Sequence, residues 1–124
     1  MPHLTTATTR RFDMHDVTFT SYASSATGAT RLAAWRVDVP PGTPGQVHAM
    51  SQEECLTVLT GSLDVEIDDE AFTARAGDAV LVPAGAAFRV SNRTDEPAAA
   101  WVTTLLGMTA TMADGAPVTP PWAQ

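Results

Sequence analysis

The stretch GTPGQVHAMSQEECLTVLTG, Gly42 to Gly61, decides how the rest of the chain is read. Gly42 is followed by five residues and His48, one residue and Met50, three residues and Glu54, then six residues and Gly61. Gln46, His48 and Met50 are two apart, so a strand here puts all three on one face, about 6 to 7 Å per step of two. Ser51 to Glu53 reads as a bend and Glu54 to Thr60 as the next strand, closed by Gly61 where φ can be positive. A second stretch, GDAVLVPAGAAFRVSN, runs from Gly77 to Asn92, with fifteen residues between Gly61 and Gly77. Its anchors are Gly77, Pro83, Gly85, Phe88 and Asn92.

Between the two stretches, Leu63, Val65 and Ile67 alternate with Asp64, Glu66 and Asp68, which predicts a strand with one wet face. Asp68-Asp69-Glu70 is a charged turn and lacks the spaced ligands of a calcium loop. Phe72 to Arg75 is a short strand. Ala79 to Val82 is continuously apolar and predicts a strand buried on both faces. Ala86, Phe88 and Val90 then face one way, Arg89, Ser91 and Arg93 the other.

Upstream, Ala33, Trp35, Val37 and Val39 share an inward face, and Pro40, Pro41, Gly42 and Pro44 break the ladder. Phe12 to Tyr22 reads as one or two strands, followed by a small polar loop from Ala23 to Thr30. Residues 1–11 are expected to be a disordered leader. Downstream, Ala98 to Leu106 is a last long strand holding Trp101, a core residue by its position in an apolar run. The segment 107–124 contains Pro117, Pro120 and Pro121 and suits no helix interior, while Trp122 predicts that it packs on the barrel. No long helical periodicity occurs. Eight or so short strands punctuated by Gly and Pro define an all-β sandwich or barrel. Alternation alone leaves a jelly roll, an immunoglobulin-like sandwich and other barrels open.

The 124 residues suffice for one domain, and a 44% hydrophobic content argues against disorder. A formal net charge of −7 without any lysine excludes a nucleic-acid backbone as partner. No apolar run approaches the roughly 20 residues that span a bilayer. Cys55 is the single cysteine, so no intrachain disulfide forms and a cytoplasmic location is expected.

The two stretches resemble the two signature motifs of the cupin family. The resemblance covers Gly42 to Asn92 and implies a double-stranded β-helix, the cupin jelly-roll barrel, over residues 12–106 with a central ligand cavity. In metal-holding cupins the first motif supplies two histidines and a glutamate, and the second a third histidine. Here His48 and Glu54 match, while Met50 and Phe88 stand where histidines would. The only other histidines are His3 and His15, both ahead of the motifs. Phenylalanine cannot ligate, and a thioether suits Cu(I) better than Fe, Mn or Zn. No cofactor is therefore expected. The alternative is a weakly held divalent metal or copper on His48, Glu54 and a residue from the N-terminal arm such as His15.

The expected function is an enzyme for non-redox proton transfer on a small molecule: isomerisation, dehydration, cyclisation or lyase chemistry. His48 is the acid or base, because an imidazole gains and loses a proton near neutral pH. Glu54 is its partner, with a pKa that an apolar pocket would raise. Gln46, Met50, Phe88, Trp35 and Trp101 are the candidate substrate-binding wall. Cys55 alternates away from Glu54 and reads as inert packing. Tyr22, the only tyrosine, lies in the arm, which departs from the metal-free sugar-epimerase cupins, where a histidine works with a tyrosine. The alternatives are a non-catalytic small-molecule-binding cupin and a metal-dependent cupin with an atypical site. A homodimer is expected, with Phe12 to Tyr22 or the C-terminal strand adding to a sheet edge.

Overall fold

Period-two alternation builds two antiparallel sheets whose apolar faces meet. The computed structural model describes residues 2–124. Its strands are β1 (Arg10–Met14), β2 (Val17–Ala23), β3 (Leu32–Val39), β4 (His48–Met50), β5 (Glu54–Thr60) and β6 (Ser62–Ile67). They continue with β7 (Glu70–Arg75), β8 (Ala79–Val82), β9 (Phe88–Ser91), β10 (Ala98–Leu105), β11 (Ala110–Met112) and β12 (Pro117–Val118). One six-stranded sheet has the order β1-β2-β3-β10-β5-β8, the other β12-β11-β4-β9-β6-β7. The chain passes from one sheet to the other between β3 and β4 and again between β4 and β5, so both sheets are filled by alternating visits. This is an all-β, double-stranded β-helix barrel.

The inward faces are those set by the alternation. Trp35, Val37 and Val39 from β3 meet Leu63 and Val65 from β6 in one buried cluster, with Leu56, Val58, Val102 and Phe88. On the outer side of the second sheet Arg89 donates to Glu66 at 2.6 Å across the β6–β9 pair. Asp68 ends β6 with φ 49°, and its carboxylate accepts the Ala87 N–H at 3.0 Å, so the charged turn also anchors the entry to β9.

Two segments depart from expectation, β8 and the leader. In β8, Val80 and Val82 are buried, but Leu81 is 61% exposed. The strand is not buried on both faces, because it pairs only with β5 at the sheet edge and nothing covers its outer side. Of the one or two strands expected for the arm, two form. His15 and Asp16, at φ 51° and 66°, turn β1 back on β2, and β2 lies against β3 of its own barrel with Phe19 opposite Val37. β1 takes in Arg10 and Arg11, which the sequence pattern assigns to a disordered leader, and Thr6–Thr8 ahead of it form a short 3-10 helix. Met1 lies outside the described residues.

The C-terminal segment extends the second sheet through β11, which pairs with β4 (Met112 opposite His48), and then crosses to the first sheet. There the Trp122 ring stacks on Phe19 with centroids 3.7 Å apart and planes at 7°. The Gln124 side chain donates to the carbonyls of Met108 at 3.1 Å and Pro120 at 3.0 Å, holding the segment in place.

Two glycines of the first motif differ in what they need. Gly42 has φ 68° and open space where a Cβ would sit. At Gly45 a Cβ would run into the Val90 carbonyl. Gly42→Ala should therefore cost about 1 kcal/mol of backbone strain, and Gly45→Ala about 2 kcal/mol or more as β9 is pushed away. Urea unfolding of the two variants measures both; equal losses would contradict the close approach at Gly45.

Candidate active site

The inward side chains of the two sheets do not fill the barrel. A cavity of about 180 Å³ remains. It is lined by Trp35 on β3, His48 and Met50 on β4, Glu54 on β5 and Phe88 on β9, with Gln46 just ahead of β4. The first motif delivers four of these, Gln46, His48, Met50 and Glu54, because its strands turn between the sheets at Ser51 to Glu53. β4 and β5 then present Met50 and Glu54 to the same space from different sheets.

His48 opens β4, opposite Phe88 on one side and Met112 on the other. Its ring leans on Phe88 with centroids 5.5 Å apart and planes at 59°. Nδ1 lies 2.8 Å from the Gln46 carbonyl oxygen. A carbonyl only accepts, so Nδ1 carries the proton and donates it, which leaves Nε2 as the free acceptor of the neutral ring. Glu54 is 5% exposed. Burial alone raises its pKa from 4.5 to about 7, with no charged or hydrogen-bonding neighbour contributing. Its neighbour Glu53 points to solvent.

Trp101 does not line the cavity. On β10 it is Val102 that faces inward, and alternation sends Trp101 to the outer face opposite Arg36 and Thr57. There its ring meets Tyr22 at 5.0 Å. The run Ala98 to Val102 is apolar on both faces, and apolarity alone does not say which face is inside. With Tyr22 also outside, no tyrosine reaches the cavity among the described residues.

Sequence patterning missed several lining residues. Phe19 reaches the cavity from the β1–β2 hairpin, and Met112 and Trp122 from the C-terminal segment; His15, the arm residue named for the alternative metal site, borders it as well. The one available signal was Trp122, an aromatic in a proline-rich stretch that had to pack somewhere. Nothing local marked Met14, Met108 or Met112, yet four of the five methionines line this space.

The donors present do not fit the three-histidine, one-glutamate set of a metal-holding barrel. Met50 and Phe88 are buried beside His48. His15, His48 and Glu54 all border the cavity. Even so, among the described residues no three His, Cys, Asp or Glu side chains come together closely enough to hold a metal ion. No helix among the described residues is long and apolar enough to cross a membrane.

Two sheets wound as a double-stranded β-helix around one central cavity define a jelly-roll barrel of the double-sheet class. A model of the cupin domain matches residues 35–104, more than half of the chain, and the chain belongs to the cupin family. No curated protein matches it. Among solved structures it resembles a sugar phosphate isomerase from the cupin superfamily of Silicibacter pomeroyi, with TM-score 0.74, 23% identity and coverage of 91% of this chain and 82% of that one. It also resembles the polyketide cyclase RemF of Streptomyces resistomycificus, with TM-score 0.75, 17% identity and coverage of 85% and 79%. An RmlC-like cupin from Shewanella frigidimarina follows at TM-score 0.71, 19% identity and coverage of 85% and 91%. Identities this low speak for the fold.

Glu54 makes stability depend on pH. Its folded pKa lies above the unfolded value, so the folded state holds the extra proton between pH 4.5 and about 7. Stability therefore falls as pH rises through that window, by about 3 kcal/mol in all. Glu54→Gln should remove this component and leave the variant the more stable protein at pH 8. Urea unfolding of both proteins at pH 5 and pH 8 checks it; an identical pH dependence in both would show that Glu54 ionises freely in the fold.

Proposed function

We propose that this cupin is a small-molecule enzyme for non-redox proton transfer beside a carbonyl group, of the isomerase, cyclase, dehydratase or lyase type. The observation that carries this reading is one imidazole with a free Nε2 and one buried carboxyl, held up to about 7, bordering the same apolar cavity. In the first half-step Nε2 of His48 takes a proton from the carbon beside the carbonyl. Its Nδ1–H stays on the Gln46 carbonyl, which orients the ring and supports the imidazolium. Glu54, in its protonated form, gives its proton to the carbonyl oxygen as the enol forms. In the second half-step the imidazolium gives its proton to the carbon at the new position and the enol oxygen returns its proton to Glu54 as the carbonyl re-forms, which restores both groups. Apolar walls strengthen these charge-assisted contacts by excluding water. Two similar structures are named an isomerase and a cyclase, names that are compatible with this chemistry.

The second reading is a binding module without turnover. It is favoured by the methionine-rich wall, which adapts to ligands without any catalytic demand. The donor set supports no resident metal in either reading. The lone Cys55 and the absence of a bilayer-length apolar run support the cytoplasm as its place.

Exchange of carbonyl-adjacent protons for deuterium, followed by NMR across a panel of small ketones, tests the mechanism without knowledge of the substrate. The wild-type protein should exchange at least one ketone, and His48→Ala should slow that exchange about 100-fold or more. Exchange by His48→Ala at the wild-type rate rules the mechanism out.

A homodimer is proposed as the assembled form. Leu32, Leu59, Leu81 and Leu105 are exposed on the outer side of the first sheet, and β1 is an open edge. Light scattering at micromolar concentration should give twice the 13.0 kDa of one chain; a single-chain mass would end the proposal.

A further inference from the structure

The cavity has no permanent cation, and only the imidazoles of His15 and His48 can bring positive charge to it. No arginine borders it, and the chain has no lysine. Arginines with carboxylate partners are engaged elsewhere: Arg36 with Asp38, Arg89 and Arg93 with Glu66, Arg11 with Asp13. The titratable groups facing the cavity are His15 on the hairpin, His48 on β4 and Glu54 on β5. A phosphate or carboxylate entering here would lose its hydration without a fixed cation to replace it, which costs several kcal/mol. It would also sit near Glu54, whose own ionisation burial already opposes. The formal net charge of −7 adds repulsion during approach.

The walls suit a flat, uncharged molecule instead. Trp35, Phe88 and Trp122 border it with aromatic rings, and Met50, Met108 and Met112 with thioethers that move to fit and contact rings favourably. Apolar cavities of about 150 Å³ take up benzene, so the roughly 180 Å³ here has room for one or two rings. His48 and Glu54 can serve a single hydroxyl or carbonyl on such a ligand.

We propose that the ligand of this cavity is an uncharged, planar, one- or two-ring phenol or aromatic ketone, and that phosphorylated and carboxylated compounds are rejected. The name of the sugar phosphate isomerase among the similar structures would then not extend to the ligand taken up here. The inference deepens the proton-transfer reading and rests on it for what happens to the ligand, but charge discrimination requires no turnover.

Calorimetric titration at pH 7 with 2-naphthol, 2-naphthoic acid and 2-naphthyl phosphate tests it, since the three share one ring system and differ in charge. 2-Naphthol should bind about 30-fold or more tightly than either anion. Met112→Arg, at a half-buried position on the cavity wall, should narrow that ratio to about fivefold or less by supplying the missing cation. Circular dichroism establishes that the variant is folded, and the wild-type titration stands without it. Binding of either anion within about threefold of 2-naphthol, or no 2-naphthol binding at about 1 mM, overturns the proposal. A 2-naphthol preference in a protein whose deuterium exchange ignores His48 upholds the ligand class and refutes the proton-transfer mechanism.

Discussion

The barrel depends on one buried amide. Asn92 is fully buried at the end of β9. Its Nδ2 donates to the Val39 carbonyl at 3.1 Å and the Glu96 carbonyl at 2.8 Å, and its Oδ1 accepts from Thr94 N and Oγ1 at 3.1 and 2.8 Å. Its backbone N–H donates to Thr43 at 2.9 Å. One side chain thus ties the end of β3, the turn before β10 and the loop before β4. Only a carboxamide offers two donors and an acceptor in one plane, which is the physical reason an asparagine closes the second motif. Gly45 then lies against β9, its N–H donating to Ser91 Oγ at 3.1 Å, and β4 starts where His48 can face the cavity. Site geometry is downstream of a polar node that never touches the site.

The cavity is a deliberate departure from the close packing of protein interiors. Around it sit groups that cost stability: a carboxyl with no partner and a space without atoms on one side. Such costs concentrate where function needs them, and the surrounding sheets, dense with Val and Ala, carry the compensation. Phe88 shows the balance well. It narrows the space, removes a polar position and gives the His48 ring a surface to lean on.

How much of this was legible in the sequence follows from the range of each signal. Alternation is local, so β3 and β6 came out with the right faces inward. The glycine and proline turns are local too, and they carried the resemblance that chose among barrels. Leu81 and Trp101 were misread for one reason: an apolar run has no inside until its neighbours in the sheet are known. β8 is an edge and β10 is central, and neither fact is written in its own residues. His48, Glu54, Met50, Phe88 and Gln46, from the two motifs, and Trp35, from the alternation of β3, border one cavity. Of the end wall made by the hairpin and the C-terminal segment only Trp122 and His15 gave a signal, because the rest depends on contacts between residues a hundred positions apart.

Those distant contacts also set an order of events. The Ser21 hydroxyl meets the Trp122 carbonyl across 101 positions of sequence, and β3 finds its central partner β10 only after most of the chain has been made. Closing such long loops is entropically slow, and barrels rich in them fold late and all at once. Phe12 and Phe19 therefore lack the Trp122 ring they meet in the fold until residue 122 has been made. The cavity wall is complete only with Val118, Pro120 and Trp122 in place. A ligand that occupies it binds only finished protein, and in a cell its abundance would raise the amount of folded protein along with its occupancy.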